Sequence, residues 1–223
     1  MGVTYSSEVS TGEEAALLKL KERLRSLPFD VVQRLVVAYQ QHSFQPVLDE
    51  TGVRALLAVA VRGHAVVSGH DPTAASSTVS VSEPLFEAIW VLFSDAESTC
   101  FAQEILVCVV LLVHAPWSKR LSLLFDVFKC LGLEEVHHED LQLMAQVAAS
   151  SLFRLWRCPP WALEDLRSLT EAIADHAYLK LDKDLSEGVA REHFCSWALD
   201  RFRESRTVAT SQALTLIFST TYQ

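Results

Sequence analysis

Apolar residues recur along this chain at spacings of three and four positions, and strict alternation of apolar and polar residues is rare. The segment Leu121–Phe128, for example, places apolar side chains at i, i+3, i+4 and i+7, which is typical of an amphipathic helix. The pattern predicts an all-α fold of about ten helices. Their expected ranges are 13–26, 29–41, 52–61, 85–93, 101–114, 121–128, 138–155, 163–181, 191–202 and 210–218.

One stretch departs from this pattern and helps to divide the chain. Residues 62–84 are rich in Ser, Thr, Gly and Pro and carry no helical stripe, which predicts a long loop. We expect four parts, each bounded by a change of pattern: an N-terminal segment and helix, a first lobe, a second lobe and an apolar C-terminal tail. Their ranges are 1–28, 29–115, 116–203 and 204–223.

Composition excludes several classes of protein. The chain of 223 residues has a net charge of −9, whereas a nucleic-acid binder needs a basic face. Its seven glycines are scattered, so neither a P-loop nor a dinucleotide fingerprint is present, and no catalytic constellation appears. The five cysteines form no C-x-x-C pair, and the longest apolar run, Ile105–Val113, is too short for a membrane span. We expect a non-enzymatic, cytoplasmic protein without a transmembrane segment.

Two segments of the second lobe share one register: Leu124–Leu141 (LFDVFKCLGLEEVHHEDL) and Ala177–Phe194 (AYLKLDKDLSEGVAREHF). Each contains an aromatic residue and a large apolar residue three positions later. Seven residues then precede a valine, and a large apolar residue follows five positions after it. The equal spacing predicts two helix–loop–helix units with loops of the same length.

This register resembles the EF-hand, in which a 12-residue calcium loop separates two helices. Asp182, Asp184 and Ser186 fall at the first, third and fifth positions of such a loop, and oxygen ligands suit a hard cation. The resemblance therefore implies a calcium site at these three residues. It also implies that Val136 and Val189 pair the two loops back to back through a short β-bridge.

Departures from the EF-hand pattern predict that calcium binding is weak or lost. The sixth loop position, where glycine supplies a positive φ, is Glu187, and Gly188 follows one residue late. His193 replaces the closing glutamate. Only Asp140 offers a carboxylate at the end of the earlier loop, whose other ligand positions cannot bind calcium: Lys129, Leu131 and Leu133.

Two further units precede these, with poorer loops. The segment Pro84–Leu106 has a loop that is one residue short and offers oxygens only from Asp95, Glu97 and Ser98. The loop HSFQPVLDET before it has no ligand pattern. Four such units in this order look like the EF-hand arrays of the calaxin, neuronal-calcium-sensor and calcineurin-B type.

The resemblance implies an adapter that binds a protein partner, either a helix or a microtubule-associated assembly, on the axoneme of cilia or flagella. It assigns six residues to the core or to a groove for the partner: Phe125, Phe128, Tyr178, Leu181, Phe194 and Trp197. A genuine calcium sensor that uses the loop starting at Asp182 is the alternative function. A generic helical bundle, in which Asp182–Asp184 is a solvated turn, is the alternative to the EF-hand itself.

The N-terminus carries one further motif. MGVTYS matches the N-myristoylation pattern, with Gly2 exposed after removal of Met1 and Ser6 at the required position. A single myristoyl chain would give only weak membrane contact. An ordinary polar N-terminus is the alternative.

Overall fold

The computed structural model describes residues 11–41, 46–67, 83, 85–87, 89–129, 134–156 and 166–205. Within these ranges the chain forms nine helices. Eight have continuous bounds: α1 (Thr11–Ser26), α2 (Phe29–Gln41), α3 (Glu50–Val67), α5 (Ala102–Leu112), α6 (Trp117–Phe128), α7 (His138–Trp156), α8 (Leu166–Leu181) and α9 (Arg191–Ser205). The helical residues 85–87 and 89–93 are labelled α4.

Four two-residue strands lie between these helices: β1 (Val47–Leu48), β2 (Cys100–Phe101), β3 (Glu135–Val136) and β4 (Val189–Ala190). Each strand is followed by a helix, either directly or after one residue, so the chain repeats one motif four times. We call the repeats unit 1 (α2–β1–α3), unit 2 (α4–β2–α5), unit 3 (α6–β3–α7) and unit 4 (α8–β4–α9).

The strands join the units in pairs. β1 pairs antiparallel with β2, with Leu48 opposite Cys100, and β3 pairs antiparallel with β4, with Val136 opposite Val189. All four of these residues are buried. The two valines singled out in the sequence therefore lie opposite each other on the core face of the second sheet.

The prediction that the described chain is mostly helical is confirmed. In α6 the predicted stripe of Leu121, Leu124, Phe125 and Phe128 is buried. The bounds of α2 are those expected from its apolar spacing. Helices of this kind form because a three-to-four spacing gathers apolar side chains on one face that packs against other helices.

The buried residues form one continuous core that spans both pairs of units. α5 lies at its centre, with Val107 to Val110 buried, and contacts α1, α6 and α7. The four-residue connection 113–116 leads directly from α5 to α6. Arg120 holds this connection, because its Nε and one terminal nitrogen each donate a hydrogen bond of 2.8 Å, to the carbonyls of Ala115 and Leu111.

The long loop expected over 62–84 is wrong at its start, and residues 68–82 and 84 lie outside the described residues. α3 continues through residues 62–67, because the apolar run extends past Arg62 and a single interior glycine costs a helix only about 1 kcal/mol. Gly2, the helix expected at 210–218 and the tail beyond residue 205 lie outside the described residues. No helix in the described part is long and apolar enough to cross a membrane.

Candidate functional site

The segments that join the two helices of each unit carry the chemistry that the sequence singles out. Those of units 2 and 4 are described completely, and those of units 1 and 3 are described at their C-terminal ends. Each segment, or the first turn of the helix that follows it, contains a carboxylate whose hydrogen bonds the structure describes. The bonds of these carboxylates decide whether a metal ion fits.

The loop of unit 4 begins with a left-handed residue that ends α8. Asp182 has a φ of 52°. Its N–H donates to the carbonyl of Leu179 at 3.4 Å, and the N–H of Lys183 donates to that of Tyr178 at 3.0 Å. These two bonds form the Schellman motif, in which the left-handed position is usually glycine. Asp182 is therefore the residue that terminates the helix.

Glu187 folds back over the same loop. Its Oε2 lies 2.7 Å from Lys183 Nζ, and its Oε1 accepts the N–H of Asp184 at 3.2 Å. The hydroxyl of buried Tyr178 donates to the Glu187 carbonyl at 2.8 Å. The hydrogen bond from Lys183 lowers the pKa of the Glu187 carboxyl. The loop is thus closed by its own side chains and by the helix before it.

Gly188 is required by close packing and not by a turn. Neither Glu187 nor Gly188 adopts the left-handed conformation that the sixth position of an EF-hand loop takes. A Cβ on Gly188 would lie 2.3 Å from Oε2 and 2.7 Å from Cβ of Glu135 on the paired strand. The missing side chain lets Glu135 of β3 lie directly over the loop of unit 4.

The described loop does not gather its carboxylates into a group that could hold calcium. Asp182, Asp184 and Ser186 are exposed, and Asp182 is committed to the left-handed helix end. Across the described ranges, no group of three His, Cys, Asp or Glu side chains is arranged to hold a metal ion. The Glu187 carboxylate of the same loop is bound to an ammonium and to a backbone N–H.

The loop of unit 2 is closed by Asp95 in a similar way. Asp95 Oδ1 accepts the N–H groups of Glu97 and Thr99 at 3.0 and 2.9 Å, and Oδ2 accepts the Thr99 hydroxyl at 2.8 Å. The bonds from Thr99 are the main reason why the pKa of Asp95 is lowered. Ser98, the other described non-glycine residue with a positive φ, completes the turn.

The carboxylates of units 1 and 3 bind the first turn of a helix. Asp49 Oδ1 accepts the N–H of Gly52 at 2.7 Å, which is an N-cap of α3. Asp140 Oδ2 accepts the N–H of His137 at 2.9 Å, which is the returning bond of a capping box on α7. Asp140 is therefore a capping residue where the EF-hand pattern would have a closing ligand.

Most of the six residues assigned to a core or groove lie in the core. Phe125, Phe128, Tyr178 and Phe194 are buried, whereas Leu181 and Trp197 are half-buried against them. The ring centroids of Phe125 and Phe194 are 5.7 Å apart. Within the described ranges, these aromatic side chains fill the interior and do not line an open groove.

The sequence did not predict an ion pair that lies beside a cleft. Arg191 donates hydrogen bonds to both carboxylate oxygens of Asp126, with 3.0 Å from Nη1 to Oδ2, and it donates to the Ser122 hydroxyl at 3.1 Å. The pair borders an open cleft of about 490 Å³ between α2 and α6, which is also lined by Phe29, Gln33, Ser118, Lys119 and Leu123. Charge at a helix start is common, so nothing in the sequence marked Arg191.

An ion pair between a buried carboxylate and a partly exposed guanidinium connects the two pairs of units. Arg154 Nε of α7 lies 3.0 Å from Glu104 Oε2 of α5, and the Ser151 hydroxyl donates to the Glu104 carbonyl at 3.0 Å. Burial raises the pKa of Glu104, against the smaller opposing effect of Arg154. A single charge within the apolar helix AQEILVCVVLL was the available signal for this contact.

The described thiols offer no activated nucleophile. Burial raises the pKa of Cys100 to about 11 and that of Cys108 to about 12, and it also raises the pKa of Cys195. A thiol must ionise to react, so these three side chains are suited to packing.

Comparisons of the chain with protein-family models, with curated proteins and with solved structures find no match.

Proposed function

We propose that this chain is a non-enzymatic, EF-hand-like adapter that binds a protein partner without calcium, as a structural component of axonemal microtubules in cilia or flagella. The EF-hand resemblance supplies the adapter role and its axonemal setting. The core is continuous, so we expect the adapter to act as one rigid body.

The observation that carries the proposal is that the loop carboxylates bind backbone N–H groups. Asp49, Asp95, Asp140 and Glu187 each accept hydrogen bonds from the segment or helix start to which they belong. These carboxylates therefore satisfy backbone groups within the described loop segments and helix starts, and we expect that the paired strands need no ion to bring the loops together. A helical array of this kind keeps its shape at any calcium concentration.

The partner contact is expected outside the interior of units 3 and 4. Four of the predicted groove residues are buried against one another, so a partner helix could not reach them without unpacking the core. A rigid adapter of this kind would bind through its outer surface. The calcium sensor that uses Asp182 remains the competing function, and it predicts that partner binding requires calcium.

Co-sedimentation with purified axonemal doublet microtubules tests the proposal. The full chain should pellet with the doublets to the same extent in EGTA and in about 1 mM calcium, a concentration that saturates EF-hand sensors. Calorimetric titration with calcium alone should show no binding tighter than about 10⁻⁴ M.

Asp182→Asn is the matched control, because asparagine tolerates the left-handed conformation but carries no charge. It should pellet like the unmodified chain. Pelleting that requires calcium and is weakened by Asp182→Asn would establish the sensor in place of the adapter. Absence of the chain from the pellet under both conditions would overturn the axonemal assignment.

A further inference from the structure

We propose that the Lys183 ammonium is the cation of the unit 4 loop, in the place that a metal ion takes in an oxygen-lined loop. The inference rests on the proposed calcium-free adapter and names the group that makes calcium unnecessary. The structure describes every residue of this loop, 182–190.

Lys183 lies at the point where the loop folds onto itself. Its N–H is bound to the Tyr178 carbonyl at the end of α8, which fixes the backbone from which the side chain extends. Its Nζ then bonds Glu187 Oε2 at 2.7 Å, while Oε1 of the same carboxylate holds the Asp184 N–H. One carboxylate thus links the ammonium to the loop backbone, as a ligand links a metal ion to its loop.

A second carboxylate approaches from the paired unit. Glu135 of β3 lies over Gly188, in space that any larger residue would occupy. The charge of Glu135 adds to the effect of Glu187, whose hydrogen bond is the main reason why the pKa of Lys183 is raised. The ammonium therefore contacts Glu187 of its own loop and is also influenced by the charge of Glu135 on the paired unit.

Charge within the loop is consistent with this role. Residues 182–190 contain three acids, Asp182, Asp184 and Glu187, and one base, Lys183. Asp182 and Asp184 are exposed and are hydrated by solvent, whereas the Lys183 side chain is only 24% exposed. The loop thus places its single positive charge at the least exposed of these side chains.

Amide hydrogen exchange of the full chain in EDTA tests the inference. Lys183→Met should accelerate exchange of the Asp184 and Glu187 amides about two- to fivefold, because an ion pair at a protein surface has a modest effect. Lys183→Arg retains the charge and should exchange within twofold of the unmodified chain. Lys180→Met removes a charge from the last turn of α8, which controls for the interaction with the helix dipole.

Lys180→Met should leave the two loop amides unchanged. Unchanged rates in Lys183→Met would overturn the inference, and so would equal acceleration by Lys183→Arg and Lys183→Met. Because these measurements contain neither calcium nor partner, their failure would leave the adapter proposal intact. Calcium-dependent pelleting would instead contradict the adapter and leave the exchange result standing.

Discussion

At the scale of single residues, backbone conformation decides what the side chains of the unit 4 loop can do. A ligand pattern specifies side-chain oxygens, but Asp182 adopts the left-handed conformation that ends α8. That conformation is unfavourable for residues with a Cβ and is tolerated best by glycine, asparagine and aspartate. Asp182 is therefore compatible with a helix end that requires no metal ion.

Substitutions at Asp182 should separate its role as the residue that ends α8 from a role as a charged metal ligand. Asp182→Ala should lower the free energy of unfolding by about 1 kcal/mol, since alanine pays the left-handed penalty. Asp182→Gly should leave the free energy of unfolding unchanged or raise it by about 0.5 kcal/mol, because glycine is favoured at this helix end. Urea denaturation in EDTA measures both. Equal losses in the two variants would contradict the capping role and indicate that the carboxylate itself is needed.

At the scale of elements, the helices are stabilised at their ends as well as along their apolar faces. Asp49 caps α3 and Asp140 caps α7, while α8 ends in the Schellman motif. The capped starts of α3 and α7 adjoin strands β1 and β3. The capping bonds therefore fix the direction in which each helix leaves its strand, which in turn sets the pairing of the loops.

Asp140→Ala should destabilise the protein by about 0.5–1 kcal/mol, because the N–H of His137 at the start of α7 loses its acceptor. Asp140→Asn keeps an oxygen acceptor and should lose less than half of that amount. Glu139→Ala is the control, since it removes an exposed carboxylate from the same turn without removing a cap. A loss in Glu139→Ala as large as that in Asp140→Ala would attribute the effect to helix-dipole charge alone.

The sequence could predict most of the described helices and the register of the β3–β4 pair, but not the loop conformations. The periodicity of Phe29–Gln41 reflects burial of one helix face, which a short stretch of sequence can show. The spacing of Val136 and Val189 reflects equal loop lengths, which can also be counted in the sequence. The conformation of Asp182 and the position of Glu135 over Gly188 depend on competition between hydrogen bonds and on packing between units. A short sequence pattern cannot predict such interactions.

At the scale of the whole molecule, the two pairs of units are joined by a core and by polar contacts within it. Glu104 and Arg154 form one such contact between α5 and α7. Gln40 of α2 forms another, since its amide donates to the carbonyl of Asp126 in α6. A buried ion pair adds little net stability but penalises any arrangement that separates its partners. We therefore expect the pair to specify how the two pairs of units dock.

A double-mutant cycle on Glu104 and Arg154 should show this coupling. Glu104→Met and Arg154→Met should each lower the free energy of unfolding by about 1–3 kcal/mol, since each leaves a charge unpaired; Arg154 is about one-third exposed, which keeps the loss below that of a fully buried pair. The double variant should recover at least half of the summed loss, because no unpaired charge remains.

The loss in Arg154→Met should also depend on pH. Burial already raises the pKa of Glu104 above its ordinary value of 4.5, and removal of Arg154 removes the one opposing influence. A raised carboxyl pKa favours the folded state at low pH, and that advantage is lost as pH rises through the folded-state pKa. Arg154→Met should therefore be less destabilising at pH 4 than at pH 7 in parallel urea titrations. Additive single losses with no pH dependence would show that the two side chains stabilise their own helices independently and do not specify the docking of the units.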